Sequence, residues 1–169
     1  MSATPNRSSL LVRALLAYSV YEHGYEGGTA SSIELKVEPR SCALIDNGRG
    51  IGLHRAGYVS GLIEQLTDRQ TKVALHGIGL ALIAMSSPLM TIEARREGWL
   101  RKQEFRWGVA SAGVSEQASQ EASGTRIALH LADGEPDIDL REVKEQADHW
   151  RRTHPGLQLE VFFGGARAV

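Results

Sequence analysis

A single cysteine, Cys42, in 169 residues rules out an internal disulfide, so nothing covalent staples this chain. That suits a reducing, cytoplasmic setting. Charge of one sign is missing too: 19 Lys and Arg against 20 Asp and Glu leave a formal net charge of -1. No global field draws the chain to nucleic acid, and no direct nucleic-acid partner is expected. Apolar runs are broken by glycine or charge well before membrane-spanning length. Met1 to Ser9 is polar and lacks the apolar stretch of a signal peptide, so no membrane association is expected. Asparagine is scarce, with Asn6 and Asn47 alone. A Gly-Lys-Ser/Thr phosphate loop is absent, and Gly77-x-Gly79-x-x-Leu82 lacks the third glycine of a dinucleotide fingerprint.

The composition that remains, 42% hydrophobic and 23% charged, is that of one soluble globular domain with room for a core. Residues 1–169 read as that single domain, with 1–7 polar and disordered. Leu11, Ala14, Leu15 and Tyr18, widened by Val12 and Leu16, predict an amphipathic helix capped by Ser8 or Ser9 and ending near Gly24. Ile33, Leu35 and Val37 alternate with charged residues as a half-buried strand, and Cys42 to Ile45 supplies its partner after Pro39-Arg40.

Further on, residues 54–66 read as a helix, 67–72 as a polar link, and 80–85 as an apolar helix stopped near Pro88. Strands are expected at about 89–97 and 99–107, turning at Glu97-Gly98. Residues 110–123 read as a flexible loop. A strand at 126–131, a helix at 138–152 and a strand at 157–163 complete the chain. The fold class is therefore α+β, a two-layer sandwich of a mixed β-sheet with helices on one face.

Chemistry concentrates at Asp46-Asn47-Gly48-Arg49-Gly50-Ile51-Gly52. A carboxylate at the end of a buried strand needs donors, and the glycines after it let a ligand approach the main chain. An aspartate so placed can accept from the exocyclic amine of adenine. The second loop, His76-Gly77-Ile78-Gly79, opens a helix, where exposed N–H groups and the dipole suit phosphate. Taken singly, each loop is explained as well by a turn, and Asp46 by a turn cap. Their combination with Gly124-Thr125 ahead of a strand points to a nucleotide.

These residues resemble a known superfamily. Asp46-Asn47-Gly48-Arg49-Gly50-Ile51 resembles the Asp-x-Gly-x-Gly box of the Bergerat-fold (GHKL) ATPases, and Leu75-His76-Gly77-Ile78-Gly79 resembles the Leu-His-Gly-Val-Gly box of gyrase B and topoisomerase IV. Ile92 to Val109 is similar to the gyrase B hairpin that follows, and Gly124-Thr125-Arg126-Ile127 to its Gly-Thr-x-Val element. The likeness runs over about residues 10–163. It implies the Bergerat ATP-binding fold and ATP or ADP as ligand. It also implies that Asp46 binds the adenine amino group, directly and through water, with Thr125 at the same water. Gly48, Gly50 and Ile51 would shape the base pocket, Arg49 would lie along its edge, and His76, Gly77, Ile78 and Gly79 would meet the phosphates. Lys102 stands where gyrase B has an arginine at the pocket mouth.

The pattern breaks on the first helix. The family carries there a glutamate that activates water and, four residues on, an asparagine that holds magnesium. Here those positions fall on Leu16 and Val20, or on Val20 and Gly24. A leucine cannot take a proton and a valine cannot ligate a hard cation, so Mg2+ is not expected to find its usual ligand. Glu22 is the candidate for a displaced base, although a solvated helix end accounts for it as well, and Ser19, His23 and Glu26 are the other polar residues nearby. The second domain and DNA-handling parts of gyrase B do not follow, and no phospho-acceptor helix pair precedes the domain, so neither a topoisomerase nor a histidine kinase is expected. The expectation is an adenine-nucleotide binder with weak or no hydrolysis. The alternatives are a pseudoenzyme that serves as a protein-interaction module, with Trp99 or Trp107 on a partner surface, or an active ATPase using Glu22.

Overall fold

The computed structural model describes residues 6–24, 30–53 and 75–167, and within these only the backbone of 21–24, 75–78 and 167. The expected helix at 54–66 and link at 67–72 lie outside the described residues.

The first helix, α1, spans Arg7–Gly24. Its cap is Asn6, whose side-chain oxygen accepts from the Ser9 N–H at 3.1 Å. This corrects the assignment of the cap to Ser8 or Ser9 and places residues 6 and 7 in ordered structure. The two serines sit inside the helix, buried, and tie it elsewhere. Ser8 Oγ donates to the Pro136 carbonyl at 2.6 Å, and Ser9 Oγ accepts from the Asp139 N–H at 2.8 Å.

Strands β1 (Ser32–Glu38) and β2 (Ser41–Asp46) form the expected antiparallel hairpin. Helix α2 spans Leu75–Met85. The His76–Gly79 segment is therefore the beginning of the helix itself, not a turn ahead of it. Strands β3 (Leu89–Arg96) and β4 (Trp99–Arg106) meet at Glu97-Gly98, with φ of 55° and 80°, the doubly positive arrangement of a type I′ turn. Trp107-Gly108 repeats it, with φ of 51° and 80°.

That second turn leads to a correction. Residues 110–123 are not simply loop: β5 (Val109–Ala110) and β6 (Ser115–Ala118) both pair antiparallel with β4. All four β6 residues are exposed, so no apolar alternation marks the strand in the sequence. It is held by its ladder and by a 2.6 Å Arg101–Glu116 ion pair. Strand β7 (Gly124–His130), helix α3 (Leu140–Thr153, capped by Asp139), β8 (Gln158–Phe163) and β9 (Ala166–Arg167) follow.

The nine strands described make one sheet, ordered β5-β4-β3-β7-β2-β1-β8-β9 with β6 beside β4. Only the β1–β8 pairing among them is parallel. Helix α1 packs on α2, α3, β1 and β2. This is the expected α+β architecture of a mixed sheet with helices on one face.

Strand register explains where the core stops. Alternation puts Val37, Cys42, Leu129, Met90 and Phe105 in one cross-strand row on the helix side. The next row reads Leu35, Leu44, Ile127, Ile92 and Gln103. The third reads Ile33, Asp46, Thr125, Ala94 and Arg101. The first row is wholly apolar and buried, and each such side chain contributes about 1.5–3 kcal/mol. One polar residue, the buried Gln103, enters at the second row and three, Asp46, Thr125 and Arg101, at the third, so the same face that builds the core ends in a polar rim.

Candidate functional site

Asp46 and Thr125 are paired across β2 and β7 in that third row. Asp46 ends its strand, and the chain turns at once. The Gly48 N–H donates to Asp46 Oδ1 at 2.9 Å. A Cβ at position 48 would lie 3.0 Å from that same oxygen and 3.3 Å from Ala30, so a side chain there would crowd the turn. From the other side, the Ser19 hydroxyl of α1 donates to Asp46 Oδ2 at 3.3 Å.

Asn47 is a clip. Its side-chain oxygen accepts from the Ser31 and Ser32 N–H groups at 2.8 and 2.9 Å, and its amide donates to Ser31 Oγ at 2.9 Å. The loop is thus fastened to the entry of β1. Gly50 has φ of +80°, and a Cβ there would strike the Arg95 carbonyl oxygen at the end of β3. Gly124 likewise lies against the backbone of Asp46. The Ile51 N–H then donates to Thr125 Oγ1 at 3.2 Å. The glycine loop is folded back over the end of the sheet and pinned at both residues of the polar pair.

Between loop, sheet end and α1 lies a cavity of about 200 Å³. Asp46, Gly48, Arg49, Gly50, Ile51 and Thr125, singled out in the sequence, all line it. Gly52, the last glycine of that run, lines it too, and Tyr18, Ala30 and Arg96, which sequence reasoning missed as site residues, complete the wall. Tyr18 reads in the sequence as a core residue of α1, and it is only 8% exposed, but it also borders the cavity. Arg96 lies in a hairpin whose sequence signal is the turn alone. It is the second guanidinium at the wall, and it pairs with Glu97 at 3.0 Å.

Lys102 is a correction. It is paired with Glu93 at 3.2 Å on the sheet face opposite the helices, and it does not border the cavity. Arg96 is the β3–β4 hairpin cation that does. The side chains of Glu22, His76, Gly77 and Ile78 lie outside the described set. Gly79 is described, on α2, with open space around the place of a Cβ.

A magnesium ion would find few suitable donors here. Leu16 and Val20 are fully buried in the core. Among the described side chains of α1, those that reach the site are Tyr18 and Ser19, both hydroxyls. Among the described residues no three His, Cys, Asp or Glu side chains converge. Magnesium is commonly held by one or two carboxylates together with substrate phosphates, and Asp46 is the one carboxylate among the described residues of the cavity wall.

Burial pushes the Cys42 thiol up from its ordinary 9.0 to about 12. It sits in the first, apolar row and takes no part in the site. Among the described residues, no helix is long and apolar enough to cross a membrane.

No protein-family model matches the chain. It is similar to the DNA gyrase B protein of Streptomyces coelicolor, 25% identical over 157 residues, covering 79% of this chain and 22% of that protein. It is also similar to the chaperone protein HtpG of Cupriavidus necator, 30% identical over 124 residues, covering 64% of this chain and 20% of that one. The chain thus spans about a fifth of the length of these curated relatives. Among solved structures, the 43K ATPase domain of Thermus thermophilus gyrase B, in complex with an aminocoumarin, superposes with a TM-score of 0.75 at 21% identity. That match covers 92% of this chain and 43% of the other. The fold is accordingly the Bergerat fold of the GHKL ATPases, in the form carried by gyrase B.

Proposed function

We propose that this chain is a cytoplasmic adenine-nucleotide binding domain that holds ATP or ADP without requiring magnesium and hydrolyses ATP slowly or not at all. The observation that carries the reading is the Asp46–Thr125 pair at the wall of a cavity walled partly by backbone. A carboxylate accepts only, and it suits the amino group of adenine. The Thr125 oxygen already accepts from Ile51, so its proton is left to donate, directly or through water, toward the N1 acceptor beside that amino group. Acceptor next to donor matches adenine and opposes hypoxanthine or guanine, which carry a carbonyl and an N–H on the same edge.

About 200 Å³ is less than the roughly 300–1,000 Å³ of a whole small-molecule site, so the cavity takes a base and little more. Phosphates are assigned to the start of α2, with His76, Gly77, Ile78 and Gly79, where a helix dipole and the N–H groups of a first turn attract anions. Weak hydrolysis is the reading suggested by α1, whose described side chains at the site are apolar groups and hydroxyls rather than a carboxylate base. Titration calorimetry with ATP and ADP, with magnesium and with a chelator, tests the proposal. Binding of both without magnesium is expected, and absence of heat at high micromolar nucleotide would sink it.

A second reading rests on a separate observation. Leu82 and Met85 on α2 are 58% and 54% exposed, and Trp107 and Val109 beside them are 52% and 70% exposed. Met85 touches the Trp107-Gly108 turn, so these residues adjoin one another. Such a patch suits a protein partner. Calorimetric silence with both nucleotides would favour this interaction module over the nucleotide-binding domain.

A further inference from the structure

We infer that Ser19 is a positioning residue that fixes the plane of the Asp46 carboxylate and thereby sets the base preference of the cavity, an inference that rests on the adenine reading above. Ser19 is 1% exposed and stands on α1 among Leu15, Leu16, Tyr18 and Val20, all of them buried. A hydroxyl in such surroundings is costly unless it is bonded, and alanine would fill the place at less cost. The hydroxyl gives its proton to Asp46 Oδ2 at 3.3 Å.

The terminal torsion of an aspartate is broad, so one donor does not hold its plane. Gly48 N–H engages Oδ1 from the loop side, and Ser19 engages Oδ2 from the helix side. Two donors on different oxygens, one from the loop and one from a helix, fix the carboxylate against turning. Held in this way, it presents an acceptor toward the amino group of adenine and repels the O6 carbonyl of hypoxanthine. Without Ser19 the carboxylate can turn from an unwelcome carbonyl, and the cavity loses its power to distinguish the two bases.

The test is calorimetric affinity for ADP and IDP in the wild-type chain, Ser19→Ala and Ser19→Thr, with circular dichroism to show that each variant is folded. In Ser19→Ala the ADP affinity is expected to fall by about fivefold to thirtyfold while that for IDP changes little, as for loss of a hydrogen bond to a charged group. The ADP-over-IDP preference then collapses, and Ser19→Thr, which keeps the hydroxyl, restores it. Equal weakening of both nucleotides in Ser19→Ala, or an unchanged preference, would overturn the positioning role and leave the adenine reading standing. A wild-type chain that binds neither nucleotide would overturn the adenine reading itself and this inference with it.

Discussion

Thr125 stands directly opposite Asp46 in the β2–β7 ladder, and the loop that leaves Asp46 returns to bond Thr125 through the Ile51 N–H at 3.2 Å. The pair is therefore joined twice, once by the sheet and once by the glycine loop. Its geometry depends on both.

Removing the carboxylate should be felt first in binding. Asp46→Ala is expected to weaken ADP by about 1–3 kcal/mol, the scale of a hydrogen bond to a charged group. Calorimetry reads the change directly. A wild-type affinity in this variant would place the pocket elsewhere.

Two glycines separate loop shape from ligand contact. Gly50→Ala combines a positive φ with a collision at the Arg95 carbonyl, so it should cost more than about 2 kcal/mol of stability and lower Tm. Gly79→Ala meets none of the described residues and lies in α2, so it should add about 0.5–1 kcal/mol. If phosphates approach the start of α2, the same Gly79→Ala will weaken ATP binding while raising Tm. A variant that is more stable and binds ATP normally would move the phosphates away from Gly79.

Much of the fold is legible in the sequence because it repeats. Alternation in Ile33, Leu35 and Val37, and the turn at Glu97-Gly98, declare strands with few neighbours consulted. The cavity residues in the sequence motifs are legible because the glycine run behind Asp46 occurs together with a second glycine-bearing helix start and Gly124-Thr125, a combination that a turn alone does not explain. Strand β6 is not legible, because Ser115–Ala118 buries nothing and exists through its partner β4. The cap of α1 is misread because Ser8 and Ser9 are good caps in isolation, and only their bonds to Pro136 and Asp139 show their use. Arg96 and Tyr18 reach the cavity through cross-strand register and helix packing, which no local pattern contains.

The proposed weakness of hydrolysis puts the next test on α1. If the nucleotide is held without magnesium, as proposed, a chelator should change ADP affinity by less than about threefold, within roughly 0.7 kcal/mol. Any ATP turnover should be slow, and Glu22→Gln should leave it unchanged if no displaced base operates. Turnover that is magnesium-dependent and abolished by Glu22→Gln would instead establish an active ATPase.

Cys42 gives a prediction independent of any ligand. Its thiol is pushed up to about 12 in the folded chain by burial, from an ordinary 9.0. Well below pH 9 the thiol is protonated whether the chain is folded or not, and it contributes no slope. Above pH 9 the unfolded chain releases the proton and the folded chain keeps it, so the unfolded state is favoured as pH rises toward 12. Stability should fall there with a limiting slope of about 1.4 kcal/mol per pH unit from this group. Lysine and tyrosine titrate in the same window, so the comparison is with Cys42→Ala, measured by urea unfolding at about pH 8, 9.5 and 10.5, which bracket the ordinary thiol range. The wild type should lose stability faster than the variant above pH 9, and the thiol should react with alkylating reagents only as the chain unfolds. Parallel stability curves for the two proteins, or rapid alkylation of the folded chain at about pH 8, would show that Cys42 is not sealed in the first row of the core.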